Sequence, residues 1–196
     1  EQARTFLTTQ VEAMPTNRRL GLFLARLLFE RGNLAGAQVQ YEKVLEKAPN
    51  DGDVLFALAL IAMQNESDME AKRYLERMVR WNKRAGEAHY YLGSLAERNS
   101  DAIAALYHYR QVGNGYGYVS AQERIGSILV EDGLWDEARE NLSRARHHQP
   151  DKAKQLILLE AQLLADRGLE SDVFEFLDSV IAEDPRNMEL LYFRAM

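Results

Sequence analysis

The four prolines of the chain fall on one lattice: Pro15 to Pro49 is 34 residues, Pro49 to Pro150 is 101, and Pro150 to Pro185 is 35. A second ladder keeps the same period. The small residues Ala3, Ala37, Ala71, Ala105, Ala138 and Val173 are spaced 34, 34, 34, 33 and 35 apart. Each is followed four positions later by a bulky residue: Leu7, Tyr41, Leu75, Tyr109, Leu142 and Leu177. A step of four places both residues on one helical stripe. Repetition at this period requires a row of supersecondary units, each too small to bury its own apolar face and therefore stacked on its neighbours.

Each unit also contains an earlier helix. A turn of chain before the small residue stands a breaker, Gly32, Gly133 or Gly168. Before that comes an apolar run carrying a large-small pair: Leu24-Ala25, Leu58-Ala59, Leu92-Gly93 or Ile125-Gly126. Helical periodicity and punctuation predict helices near 1 to 13, 18 to 31, 34 to 47, 52 to 64, 68 to 82, 86 to 98, 101 to 112, 118 to 132, 135 to 147, 152 to 167, 171 to 183 and 188 to 196. Ser67 with Glu70 has capping-box spacing, and Asp136 and Asp172 lie near helix starts. No alternating strand pattern competes.

These residues resemble the tetratricopeptide repeat, whose unit reads large-small in its first helix, Ala then a bulky residue in its second, and Pro at the exit. The resemblance implies an all-α fold, a right-handed superhelix (α-solenoid) of antiparallel hairpins. Its expected divisions are a second helix of a broken repeat over 1–17, repeats over 18–51, 52–85, 86–118 (one residue short), 119–153 and 154–187, and a first helix of another over 188–196. Departures from the pattern are local. Gly21, Leu55, His89, Gln122 and Ile157 replace the first-helix tryptophan, Glu160 stands where a large apolar residue belongs, and Lys83 and Gly117 replace proline. Broken repeats at both ends would expose apolar surface, including Leu190, Leu191, Tyr192 and Phe193, and invite self-association.

The net charge is −6 and the 24 Lys and Arg are scattered, which argues against nucleic acid as partner. With no cysteine there is no disulfide, thiolate nucleophile or Cys-containing zinc site. No apolar run reaches the length of a membrane-spanning helix. The four histidines, His89, His108, His147 and His148, belong to no catalytic or metal-binding motif. His147 and His148 are expected to interact with a helix C-terminal dipole. The segment Gly113 to Gly117 follows a helix instead of a strand, so it reads as an inter-repeat connection rather than a phosphate loop, with Tyr116 and Tyr118 offering an exposed contact patch. No cofactor, metal or catalytic site is expected, and the chain reads as a non-catalytic scaffold.

The first helices of such a stack line its inner face. With Leu55, Leu58, Ala59 and Ala62 turned to the paired helix, Phe56, Leu60 and Met63 lie a quarter-turn away. With Leu22, Phe29 and Tyr90 they form a stripe that hairpin packing does not require. Two readings stand side by side: packing against the next hairpin, or a groove for a peptide with aromatic and Met anchors. Some family members grip an acidic chaperone tail with Lys and Asn on this face. Here those places hold Leu22, Arg26, Phe56, Leu60, Tyr90 and Ser94, so that clamp is absent.

Four further runs resemble a narrower group. Tyr109-Arg110-Gln111-Val112, Ala121-Gln122-x-Arg124-Ile125-Gly126, Asp136-Glu137-Ala138-Arg139 and Leu190-Leu191-Tyr192-x-Arg194-Ala195-Met196 are similar to those of the LbcA-like outer-membrane lipoproteins of proteobacteria. That resemblance implies an adaptor that binds a periplasmic C-terminal processing protease and peptidoglycan hydrolases, in the periplasm on a lipid anchor outside this segment. The alternatives are a non-catalytic superhelix of a multidomain enzyme, an assembly scaffold of a cell-envelope or secretion machine, and a cytoplasmic location.

Overall fold

The computed structural model describes residues 9–10, 13–14, 17–113, 115–168, 170–183 and 185–195. The helix expected near 1 to 13 lies mostly outside them. Among the described residues the chain runs through α1 (Arg18–Glu30), α2 (Leu34–Lys47), α3 (Gly52–Gln64), α4 (Asp68–Arg80), α5 (Ala85–Arg98), α6 (Ala102–Arg110), α7 (Tyr118–Glu131), α8 (Trp135–His148), α9 (Ala153–Ala165), α10 (Glu170–Glu183) and α11 (Met188–Ala195). One 3-10 turn, Pro150–Lys152, precedes α9. No helix of the described residues is long and apolar enough to cross a membrane.

The helices pair as hairpins, α1 with α2, α3 with α4, α5 with α6, α7 with α8 and α9 with α10. The chain divides into two compact units, Glu1–Gln111 and Val112–Met196. In the first, the large-small pairs and their partners form one core in which Leu24, Ala25, Leu58, Ala59, Leu75 and Met78 are almost wholly buried. In the second, Ile157, Ala161, Leu164, Phe176, Leu177 and Leu190 form one cluster, and Leu142, Ala145, Leu156 and Leu163 another. The expected exposure of the C-terminal apolar run is therefore corrected in part. Leu190 is 1% exposed because it closes over α9 and α10, whereas Leu191 and Tyr192 are exposed, and the side chain of Phe193 lies outside the description.

Several helix starts are fixed by side-chain acceptors, while those of α4, α5, α7, α8 and α9 have none. Asn17, Asn33, Asp51 and Asp101 each receive a backbone N–H of the first turn, satisfying donors that no intrahelical carbonyl can reach. The capping box expected at Ser67 does not form. Its hydroxyl turns to the Asn65 carbonyl at 3.5 Å, and Glu70 is taken by Arg73 at 3.1 Å. The turn inside every hairpin has one backbone signature. The residue two positions ahead of the second helix takes positive φ: Gly32 (74°), Glu66 (57°), Ser100 (59°), Gly133 (77°) and Gly168 (71°). Reversing direction within three or four residues requires a left-handed step, which glycine takes freely and other residues take at a cost.

The prediction that His147 and His148 serve the end of their helix agrees with the structure. Their Nδ1–H groups donate to the carbonyls of Ser143 at 2.7 Å and Arg144 at 2.8 Å, one turn back from the end of α8. The connection before α7 is irregular, with Gly117 at φ 81° as its N-cap. Tyr116 is exposed there, but Tyr118 is half-buried beneath Lys152.

Candidate functional site

In the first unit, α1 and α3 are successive first helices and their facing sides leave a groove of about 220 Å³. Its apolar wall comes from Leu22 and Phe29 on α1 and from Phe56 and Leu60 on α3. Helical spacing explains the choice: 22 and 29 are two turns apart, 56 and 60 one turn, so each pair lies on one edge of its helix. Phe56 and Leu22 are only partly buried although they touch the core.

The rim is charged and ordered. Arg84 lies over the Phe56 ring with its guanidinium carbon 4.2 Å from the centroid, and pairs with Asp53 at 3.0 Å and with Glu87. Arg18 pairs with Asp51. The Arg18 and Arg84 guanidiniums are held charged more firmly than usual, first by the hydrogen bonds to Asp51 and Glu87 respectively. Arg26 reaches the hydroxyl of Tyr41, whose acidity burial suppresses. The groove thus combines an apolar floor with fixed guanidinium planes, an arrangement that packs apolar side chains and hydrogen-bonds a peptide backbone or a carboxylate.

Of the six residues predicted to meet a partner, Leu22, Phe29, Phe56 and Leu60 line this groove. Met63 packs on the core of the first unit. Tyr90 lies in an aromatic chain, edge-on to Tyr91 at 5.6 Å and to Tyr109 at 5.7 Å, while Tyr91 meets Phe56 at 5.3 Å. Sequence reasoning missed Arg18, Asp53 and Arg84. The sign available was charge spacing: Arg18 with Asp51, Asp53 with Arg84, and Asp68 with Arg98 are each separated by close to one period and tie adjacent hairpins.

His89 on α5 and His108 on α6 are brought together, Nδ1 to Nδ1 3.1 Å. With ring centroids 5.4 Å apart, the two nitrogens point at one another, so one Nδ1–H donates to the other's lone pair. Burial lowers the pKa of His89; it also lowers that of His108, aided by His89 and Lys72 and opposed by Glu76. Both groups therefore bind protons more weakly when folded than the unfolded value of 6.5. Their contribution is complete above pH 6.5 and is lost as the pH falls from there through the lower folded values. Urea unfolding of the first unit should show a midpoint that declines between pH 7.5 and pH 5, and His108→Gln should flatten this decline. An unchanged slope in the variant would assign it to the carboxylates instead.

Comparison with known proteins places this geometry. The sequence profile of a tetratricopeptide repeat matches residues 1–51 and again 28–95. The TPR repeat-containing protein PA4667 of Pseudomonas aeruginosa is 38% identical over 109 residues, which is 56% of this chain and 18% of that protein. This chain therefore spans about a fifth of that relative. Among solved structures, YrrB, described as a TPR protein with an unusual peptide-binding site, superposes with TM-score 0.60 at 20% identity over 97% of this chain and 98% of its own. MamA superposes with TM-score 0.65 at 21% identity over 78% and 90%. At these identities the two structures speak for the fold alone.

Proposed function

Because the chain belongs to the tetratricopeptide repeat family, we propose that it is a non-catalytic protein-interaction scaffold whose first unit receives a peptide segment in the groove of Leu22, Phe29, Phe56 and Leu60. The observation that carries this reading is the groove itself, where apolar side chains remain open beside a rim of ordered arginines. Its finer form is an adaptor that brings a periplasmic C-terminal processing protease to peptidoglycan hydrolases, on an outer-membrane lipoprotein. The runs around Tyr109, Ala121, Asp136 and Leu190 favour that form, and the match to a proteobacterial repeat protein agrees with it.

The test uses purified protease and hydrolase from the native host, mixed singly and together with the chain and followed by light scattering and anisotropy. Phe56→Ala and Leu60→Ala should weaken binding about tenfold or more, since a truncated anchor costs on the order of 2 kcal/mol. Glu76→Ala, at an exposed charge of α4, should change it little. If neither enzyme binds, the adaptor form is lost; if the groove variants bind as well as the parent, so is the groove assignment. Tyr90→Ala is a poorer probe because that ring also supports Tyr91 and Tyr109.

A further inference from the structure

The second unit carries a larger cavity, about 540 Å³, between α8 and α10 with α9 as its floor. It opens between second helices of successive hairpins, where the groove of the first unit opens between first helices. At its base Glu160 is 2% exposed. Each carboxylate oxygen takes one arginine: Nε of Arg139 donates to Oε1 at 3.3 Å, and an Nη of Arg146 donates to Oε2. Arg146 also lies over the Phe176 ring, 5.4 Å from its centroid.

Two of these residues break the repeat's own rule in one place. Glu160 stands where the other first helices carry Leu24, Leu58, Leu92 and Ile125, and Arg146 where earlier second helices carry Leu45 and Val79. Apolar residues at both positions pack without desolvating charge, so the ion cluster is the costlier solution for stability. It does, however, hold two guanidiniums. Their remaining N–H groups make no further hydrogen bond among the described residues. Arg139 and Arg146 face two carboxylates here, Glu160 at the base and the exposed Glu140 on the rim, so the lining is formally balanced and what the cavity offers a ligand is its unused guanidinium donors. Glu140 on the rim lies toward Arg144, at 4.0 Å. Beside the guanidiniums, half-buried Val180 is the open apolar surface, with Ile157 and Phe176 showing only edges at 8% and 6% exposure.

We propose that this cavity is a binding site for an acidic peptide segment, in which Glu160 acts as an internal counter-ion that orients Arg139 and Arg146 toward a partner's carboxylate while an apolar neighbour of that carboxylate packs on Val180 and the exposed edges of Ile157 and Phe176. Guanidinium forks suit carboxylates because planar donors meet planar acceptors in pairs. The apolar surface selects a peptide over a free dicarboxylate, which has no side chain to place there.

The test is anisotropy of a fluorescein-labelled, end-blocked peptide of alternating glutamate and leucine, bound to the 196-residue chain. Arg139→Gln should weaken binding at least about tenfold, and Arg139→Lys should fall between it and the parent. Arg139 is half-exposed, so both variants should remain folded, which circular dichroism verifies. Affinity should fall steeply with salt, a glutamine-for-glutamate peptide should lose it, and Glu76→Ala, at an exposed charge of the other unit, should leave it unchanged. The proposal is overturned if Arg139→Gln binds as tightly as the parent, if no Kd below about 1 mM is found, if Phe56→Ala weakens binding while Arg139→Gln does not, which would seat the peptide in the groove of the first unit, or if succinate displaces the peptide at equal carboxylate concentration.

Discussion

Arg146→Ala should cost the second unit about 3 kcal/mol, whereas Arg146→Leu combined with Glu160→Leu should leave its stability equal to the parent's or higher. Removing one member of a buried ion pair strands the other, and such losses run to about 3–5 kcal/mol. Here Arg139 remains, but its side chain is 48% exposed against 18% for Arg146, so solvent screens it and it compensates incompletely. The double variant removes both charges and restores the apolar pair that other hairpins carry. Trp135 packs against both clusters of the second unit, so its fluorescence reports this transition once Trp81, in the first unit, is changed to Phe. A small loss in the single variant would mean that the carboxylate reaches water; a large loss in the double variant would mean that the cluster is needed for the fold itself.

Gly93→Ala should destabilise the first unit by about 2 kcal/mol, although alanine ordinarily favours a helix over glycine by about 1 kcal/mol. A methyl group at residue 93 would sit 2.7, 2.8 and 2.9 Å from three ring atoms of Tyr109. That ring has no easy retreat: it is 1% exposed and its hydroxyl donates to Glu97. Overpacking of this kind costs about 1–3 kcal/mol, which exceeds the propensity gain. Gly126→Ala provides the control. Its added methyl meets only Cδ1 of Leu163 at 2.7 Å, the end of a flexible side chain that can turn aside, so its net effect should stay within about 1 kcal/mol. The equivalent places in the first hairpin hold Ala25 and Tyr41, both in its core, so the outcome depends on how Tyr109 is anchored. Adding Tyr109→Leu to Gly93→Ala should therefore cost less than the two single changes together. Urea midpoints of the four proteins measure this, and additivity would show that ring and methyl do not collide.

The lattice of prolines and small residues was enough to read the hairpins, because a period of 34 translates directly into helix pairs whose apolar stripes must meet. Helix bounds at 34 to 47 and 52 to 64 coincide with those observed. The weak place was α6, predicted to run to 112 but ending at Arg110, where the chain enters the glycine-rich connection. Part of the groove was equally legible: Leu22, Phe29, Phe56 and Leu60 follow from helical phase alone. Met63 follows from the same phase yet packs on the core of the first unit, because an inner stripe and a surface packed on the next hairpin share one periodicity. Arg84 was hidden for another reason. It sits between helices at φ 49°, so neither helical phase nor repeat position indicates that its guanidinium covers Phe56. Glu160 was visible as an anomaly, but its consequence was not, since the two arginines that answer it lie on a different helix.

The left-handed residue of each hairpin acts as a frame marker for the array. Glu66 and Ser100 occupy the same conformational place as Gly32, Gly133 and Gly168, so the repeat is punctuated by a torsion angle and only loosely by a letter. The third interval between these markers is one residue short and the fourth one residue long, and Gly168 therefore stands four whole periods beyond Gly32. The shorter and the longer interval offset each other, so the residue numbering at Gly168 returns to the 34-residue register of Gly32. Successive repeats can thus share few identical letters and stay in step, because the frame they have in common is a backbone geometry.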